Sequence, residues 1–294
     1  AYSIKKTILI TFKRKGSLIF SLNLQDMYNC QPMSALRYVS FILGIGFLSL
    51  GLIISILSSF FYLDFSSGVQ NFILMFVGVI FFWLSLEKVH PEGYKFFLIF
   101  LSLSLTVGIF FKTLGIIGFL ITIFVLWFFR DPERNIPLNS NNIISPADGV
   151  ICKIEKSRSP VEANIQSEFL KISVFMNVFN VHVNRAPVAG KIKEIIYVPG
   201  KFFNASLDKA SEHNERNILI FENDKNEEII TVQIAGLIAR RILSFVNRLD
   251  TLKIGERFGL IRFGSRVDVY VPTSYQPKVK LGEKVIAGES IIAN

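Results

Sequence analysis

Long apolar runs in the first 130 residues limit what this chain can fold into more than any other feature. Four such runs begin at Val39, Asn71, Phe96 and Thr113. The first is long enough to cross a bilayer as a helix, whereas the others are shorter. Apolar residues give way to charge and proline just after Trp127, in "WFFRDPERNIP". We therefore predict transmembrane or hairpin helices first and a globular domain from residue 130 onward.

The third and fourth runs together are typical of a helical hairpin. They are separated by Lys112 and Thr113, with Gly115 nearby, which predicts a turn. Each arm is marginal for a full bilayer span, so a shallow hairpin lying in the interface stays open as an alternative.

The positions of the basic residues predict an orientation. Lys and Arg precede the first run, separate the second from the third, and follow the last, whereas the link "DFSSGVQ" has none. Since cytoplasmic loops carry the excess of Lys and Arg, all basic segments except Lys112 belong on one side. We predict a protein of the cell membrane whose globular domain lies on the cytoplasmic face.

The net charge and the two cysteines restrict the kinds of binding partner and metal or disulfide site that the chain is expected to have. The chain has 32 Lys and Arg against 23 Asp and Glu, a net charge of +9, and a mean hydropathy of +0.45. A basic, apolar protein suits an anionic membrane surface, and no recognition helix, zinc spacing or ribonucleoprotein motif supports a nucleic acid partner. Cys30 and Cys152 lie far apart in unlike contexts, so we expect neither a disulfide framework nor a metal site.

The part after residue 130 is predicted to be mainly β. "SEFLKISVFMNVFNVHVN", "AGKIKEIIYVP" and "EEIITVQIAG" are rich in β-branched residues and bounded by Gly, Pro and Asn. "SPADGVICKIEK", "APVAGKIKEIIYVPGKFF" and "VKLGEKVIAGESII" each place Gly before alternating apolar residues. That pattern resembles the hairpins of lipoyl-type barrels, so we expect a barrel-sandwich-like domain.

A Gly-Ser pair interrupts one of the predicted strands. In "IRFGSRVDVYVP", Val267, Val269 and Val271 alternate with other residues, which predicts a strand with one buried face. Gly264 and Ser265 stand just upstream. Glycine in a strand usually marks a bulge or a strand end.

Two further residues have both an ordinary and a catalytic interpretation. His182 in "NVFNVHVNRAP" suits a hydrogen-bonded core position, yet histidine is also a base near neutral pH. Asp148 in "SPADG" suits a turn, yet a carboxylate can orient a histidine. Ser265 would then be the nucleophile, although the sequence does not show that the three side chains meet.

Six motifs in order carry a resemblance to a known family. They are "WFFRDPER", "SPADG", "FNVHVNRAP", "GKFFNASLDKASEHNERN", "QIAGLIARRI" and "GERFGLIRFGSRVDVYVP". Together they closely resemble the short bacterial phosphatidylserine decarboxylase proenzymes, from about Glu87 to the C-terminus. The resemblance divides the chain into an extra N-terminal region, residues 1–86, a hairpin, residues 87–129, and a decarboxylase domain, residues 130–294.

The resemblance implies self-cleavage and a covalent cofactor. The chain would break between Gly264 and Ser265, giving a β-chain that ends at Gly264 and an α-chain that starts at Ser265, held together as a heterodimer. Asp148, His182 and Ser265 match the family's processing triad. Ser265 would become a pyruvoyl group that forms a Schiff base with phosphatidylserine and accepts the electrons left by CO₂, giving phosphatidylethanolamine.

The resemblance leaves the roles of a few positions open. Longer members carry a second histidine where this chain has Phe179, so a protonation role of that histidine does not transfer. Arg262 and Arg266 are candidate partners of the substrate's phosphate or carboxylate, with Arg240 and Arg241 nearby. A role as solvated charges at the strand edge is an equal alternative.

Two other functions compete with the decarboxylase. "LDKASE" loosely matches the surroundings of a modified lysine, Lys209, which would make the protein a membrane-anchored lipoyl-type carrier. A membrane adaptor without enzymatic activity is the other alternative. A denaturing gel with mass analysis separates them, because only the decarboxylase gives two pieces.

Overall fold

A computed structural model describes the chain at residues 9–14, 17–23, 39–51, 65–85, 88–137, 142–202, 213–236, 241–262 and 265–294. The chain divides into two compact units. The first comprises Ala1–Leu86 with Leu105–Ile116, and the second comprises Glu87–Ser104 with Ile117–Asn294. The tip of the predicted hairpin therefore groups with the first unit, and its base groups with the second.

The first unit contains two short strands and two apolar helices. Strands β1 (Leu9–Arg14) and β2 (Ser17–Asn23) pair antiparallel. Helices α1 (Val39–Gly51) and α2 (Phe65–Ser85) approach closely at glycines. A Cβ atom added at Gly44 would lie 2.7 Å from the backbone nitrogen of Phe82, and one at Gly78 would lie 2.7 Å from Leu48 Cγ. These two glycines therefore allow the helices to pack.

Helices α3 (Pro91–Phe110) and α4 (Lys112–Phe128) form the predicted hairpin. The helical segments separate at Phe111, one residue before the predicted turn. The arms touch where a Cβ at Gly118 would lie 2.8 Å from Ser104 Cβ. By length and apolar composition, α3 is able to cross a membrane.

A short antiparallel bridge closes the base of this hairpin. Val89 pairs with Arg130, the His90 amide donates to the Phe129 carbonyl at 2.8 Å, and the Asp131 amide donates to the Lys88 carbonyl at 2.8 Å. The chain entering α3 and the chain leaving α4 are thus fixed to each other.

The rest of the second unit is mainly β, as predicted. The strands are β3 (Ile143–Ile144), β4 (Gly149–Arg158), β5 (Glu168–Met176), β6 (Val183–Arg185), β7 (Gly190–Val198), β8 (Arg216–Glu222), β9 (Glu228–Ala235), β10 (Ile242–Ser244), β11 (Thr251–Leu252), β12 (Arg257–Ile261), β13 (Ser265–Pro272), β14 (Lys284–Val285) and β15 (Ile291–Ala293). The largest sheet has eight antiparallel strands, curls into a half-barrel and runs in the order β11-β7-β8-β9-β13-β5-β4-β14. Smaller sheets of this unit have the orders β10-β12-β6 and β15-β3.

The glycines that suggested repeated hairpins have a local cause. Gly149 begins β4, and a Cβ there would run into the Phe175 carbonyl oxygen on β5. Gly190 begins β7, and a Cβ there would run into the Glu222 carbonyl oxygen on β8. Both glycines are therefore required by the close approach of a neighbouring strand.

The prediction that the strand after Gly264 has one buried face is wrong. From Ser265 through Val271 every residue of β13 is buried, because β5 and β9 flank the strand and both faces of the sheet are covered. Val267, Val269 and Val271 point into the main core. Tyr270, on the opposite face, belongs to a second apolar cluster.

Candidate active site

Ser265 is the first residue of a central strand. It pairs with Met176 on β5 and with Ala235 on β9, and its side chain is fully buried. The hydroxyl donates to the thioether sulfur of Met176 at an Oγ–Sδ distance of 3.2 Å. A thioether is a weak acceptor, so this contact holds the hydroxyl without strongly restraining it. Gly264, the other predicted residue of the cleavage site, lies outside the described residues.

Strand pairing brings His182 next to the segment that leads to Ser265. His182 precedes β6, which pairs antiparallel with β12. The Ile261 amide donates to the His182 carbonyl at 3.3 Å. Since Ile261 lies three residues before Gly264, the imidazole belongs to the same end of the domain as the predicted cleavage site.

The imidazole of His182 is fully buried between an aromatic ring and a backbone turn. Its ring centroid lies 4.3 Å from that of Phe128, and its Nδ1 lies 2.9 Å from the Asn180 carbonyl oxygen. A carbonyl only accepts hydrogen bonds, so Nδ1 carries the hydrogen and Nε2 carries the lone pair. Burial, with a smaller contribution from the charge of Arg130, lowers the pKa of His182 to about 3. The ring is therefore neutral near pH 7, as a proton acceptor must be.

Asp148 lies in a different set of contacts. Its carboxylate accepts two hydrogen bonds from Arg134 Nη2, at 2.9 and 3.0 Å, and one from the Ala287 amide at 2.8 Å. The structure thus connects Asp148 to the segment after the hairpin and to the C-terminal segment. Its role in a triad stays a prediction.

The two arginines that flank the Gly-Ser pair point to different surroundings. Arg262 donates to Glu92 Oε2 at 2.9 Å and lies over the ring of Phe96, with its Cζ 4.9 Å from the ring centroid. Arg266 is buried and donates to both carboxylate oxygens of Asp268, at 2.7 and 2.8 Å. Binding of substrate by either stays a prediction. Arg240, the third candidate, lies outside the described residues, whereas the Arg241 side chain is exposed.

Sequence reasoning missed a row of buried amides beside Ser265. Asn217 Nδ2 donates to Gln233 Oε1 at 3.0 Å, and Gln233 Nε2 donates to Asn184 Oδ1 at 2.8 Å. Asn184 Nδ2 in turn lies 3.9 Å from the sulfur of Met176. Amides in the interiors of β8 and β9 interrupt otherwise apolar strands, and that signal was available. The amides link the large sheet to β6 inside the core, where buried polar groups need partners.

A buried carboxylate just after α4 was also missed. Asp131, in "WFFRDPER", accepts hydrogen bonds from Arg185 Nη2 at 3.2 Å and from Arg257 Nε at 2.5 Å. Arg185 is on β6 and Arg257 is on β12, so one carboxylate fixes the end of the hairpin to both strands that position His182. The described residues include no cluster of three or more His, Cys, Asp or Glu side chains suited to a metal.

The chain is similar to proteins of one bacterial family along most of its length. The sequence profile described as phosphatidylserine decarboxylase matches residues 121–293. Proteins named phosphatidylserine decarboxylase proenzyme from Ruegeria pomeroyi, Rickettsia typhi and Pelagibacter ubique are 54%, 48% and 51% identical. The alignments cover 71%, 70% and 70% of this chain and 96%, 90% and 96% of the relatives.

Proposed function

The chain belongs to the phosphatidylserine decarboxylase family, and on that premise we propose that it cleaves itself between Gly264 and Ser265 and carries a pyruvoyl group at Ser265. It is a carboxy-lyase made as a proenzyme, and it converts phosphatidylserine to phosphatidylethanolamine and CO₂. The observation that carries the proposal is the placement of Ser265: it starts a central strand, and β6 brings a neutral buried histidine beside the segment leading to it.

The cleavage needs only groups of the chain and water. Nε2 of His182 takes the hydroxyl proton of Ser265, and Oγ attacks the carbonyl carbon of Gly264. The C–N bond then breaks, the freed nitrogen takes a proton, and an ester remains. Loss of the α-proton of Ser265 expels the Gly264 carboxylate and leaves dehydroalanine. Water replaces its nitrogen, which departs as ammonia, and a ketone remains at the new N-terminus.

The surroundings of Ser265 fit that product. Met176 contacts the serine hydroxyl in the proenzyme, and its soft, apolar thioether packs equally well against the methyl group that replaces the hydroxymethyl group. When present, the pyruvoyl group supplies the electron sink for loss of CO₂. The protein holds this position through the pairing of Ser265 with β5 and β9.

The same pairing supports a stable heterodimer. The α-chain would comprise residues 265–294, which contribute β13 to the centre of the large sheet, β14 to its edge and β15 to a pair with β3. Separation of the chains would expose Val267, Val269 and Val271 and deprive both β5 and β9 of one of their two neighbouring strands. The two chains should therefore remain associated after cleavage.

We also propose that the catalytic domain works at the cytoplasmic surface of the cell membrane. The substrate's headgroup lies at such a surface, and α3 exposes large apolar side chains, among them Leu98, Ile99 and Leu103, which are 55–62% exposed. A lipid environment would cover them. The orientation rests on the distribution of basic residues in the sequence.

The cleavage is tested by comparing masses of the full chain and its Ser265→Ala variant. We expect two polypeptides from the wild type, the smaller one starting with a pyruvoyl group, and one intact polypeptide from the variant. An intact wild-type chain after prolonged incubation would contradict the proposal. A second comparison, of His182→Ala with His213→Ala, should show cleavage blocked in the first and retained in the second.

A further inference from the structure

We propose that the base of the helical hairpin is a positioning element for self-cleavage: Phe128 and Arg130 fix the position and tautomer of His182. The inference rests on the proposed role of His182 as the base. It assigns to the hairpin a function in the chemistry of the proenzyme that is separate from attachment to a membrane.

Phe128 covers one side of the imidazole. Both side chains are fully buried, and their ring planes are tilted by 34° at a centroid distance of 4.3 Å. Phe128 is the last residue of α4, and the next ring, Phe129, stacks on Phe96 of α3 at 5.4 Å. Phe128 in turn packs edge-on against Phe129 at a centroid distance of 5.1 Å, so the ring that contacts His182 is held by both arms of the hairpin.

Arg130 fixes the turn that provides the hydrogen-bond acceptor for Nδ1 of His182. One guanidinium nitrogen donates to the Trp127 carbonyl at 2.7 Å, and the other donates to the Phe179 carbonyl at 2.6 Å. Phe179 lies in the turn that also contains Asn180, the acceptor for Nδ1 of His182. Because the planar guanidinium of Arg130 donates to both carbonyls, it holds this turn against the end of α4.

These contacts explain which imidazole nitrogen is basic. The Asn180 carbonyl fixes hydrogen on Nδ1, so the lone pair is on Nε2. Phe128 excludes water, which disfavours the charged ring. The charge of Arg130 also acts on His182 and disfavours the cation. The hairpin base thus keeps the imidazole neutral at physiological pH.

The direct test is the titration of His182 in the uncleavable Ser265→Ala proenzyme. The chain has three histidines, so their labelled imidazoles can be followed by NMR. We expect His182 with hydrogen on Nδ1 and no protonation down to about pH 4, given its pKa of about 3. Adding Phe128→Ala should admit water and raise that pKa toward the ordinary value of about 6.5. An unchanged titration in this variant would overturn the proposal.

Phe119→Ala is the matched control, because Phe119 is equally buried in α4. It lies nine residues earlier, about 13 Å along the helix axis. Its removal creates a similar cavity and should leave the titration of His182 as in the parent. If Phe128→Ala does not fold, Phe128→Leu provides the second variant, which keeps apolar cover but loses the ring. A smaller rise in the pKa supports the proposal, and no rise contradicts it.

The rate of self-cleavage gives an independent measurement. Proenzyme made by cell-free synthesis with lipid vesicles is shifted to a series of pH values, and the two products are counted on gels. The wild type should cleave at a similar rate at pH 7.5 and 5.5, whereas Phe128→Ala should slow about tenfold at pH 5.5, because a base of pKa about 6.5 is then mostly protonated. Equal profiles would contradict the inference alone. Absence of cleavage in the wild type would contradict the proposed function, and the NMR titration would still test the inference.

Discussion

The two pairs of helices have a similar apolar composition and different surroundings. In both pairs a glycine lets two helices approach, Gly78 against Leu48 in the first and Gly118 against Ser104 in the second. The second pair is distinguished by the polar residues at its end. Arg130 and Asp131, just after α4, bind the turn before His182 and the strands β6 and β12. An apolar composition therefore predicts membrane-type helices, whereas the polar residues that follow α4 connect the second pair to the β domain.

Removal of residues 1–129 should have the largest effect, and it tests whether the second helical pair is part of the catalytic domain. It deletes Val125, Phe128 and Phe129, all buried in the second unit. Losing one buried Phe costs about 3–5 kcal/mol, and a whole domain is stable by only about 5–15 kcal/mol. We expect loss of self-cleavage, and with it loss of CO₂ release from both bilayer and short-chain phosphatidylserine. If the truncated chain still cleaves itself and loses only the bilayer substrate, the hairpin is merely an anchor.

Asp131→Asn should have the next largest effect. The substitution leaves Arg185 and Arg257 without their shared charge, and breaking a buried ion pair costs about 3–5 kcal/mol. The control is Glu133→Gln. Glu133 pairs with Lys88 and, at 3.7 Å, with Arg257 Nη2, but its side chain is 70% exposed, so the expected change is about 0–1 kcal/mol. Urea denaturation of the Ser265→Ala proenzyme, followed by Trp fluorescence, measures both, and equal losses would contradict the buried role of Asp131.

A smaller effect is expected from Gly118→Ala. The added Cβ would lie 2.8 Å from Ser104 Cβ and 3.1 Å from its Cα, so the arms must move apart. Overpacking of this kind costs about 1–3 kcal/mol. Gly46→Ala in α1 is the control, because nothing lies within 4 Å of the added atom, and removal of a helical glycine should stabilise by up to about 1 kcal/mol. The midpoint of thermal unfolding in lipid nanodiscs should fall for Gly118→Ala and rise for Gly46→Ala. A shift in the same direction for both variants would contradict the packing described for Gly118.

The smallest effect is expected from removal of residues 1–86. The resemblance to the decarboxylases starts at about Glu87, and the strands that position His182 and Ser265 lie in the second unit. Self-cleavage and decarboxylation of bilayer phosphatidylserine should both stay within about twofold of the full chain, since no group of the proposed chemistry is lost. A large loss of cleavage would show that the first helical pair also supports the processing site.

Some features of the site could be predicted, and others could not, for reasons visible in particular residues. The motif around His182 and the Gly-Ser pair carried the family, and β6 and β12 do bring His182 beside the segment before Ser265. The alternation of valines in β13 told which side chains share a face, but not that both faces are covered. Arg266, predicted as a substrate partner, is paired with Asp268 inside the domain.

The sequence by itself determined the apolar helices of the first part, the mainly β domain and the family. The first two depend on local composition and periodicity, which act over a few turns or one strand, and the family depends on motifs in a fixed order. Only the tertiary structure decided which groups meet: Asp131 with Arg257, 126 residues away, Asp148 with Arg134 and Ala287, and His182 with Phe128. Such pairings depend on how strands order themselves in sheets and on which groups lose water together. No local pattern records that information.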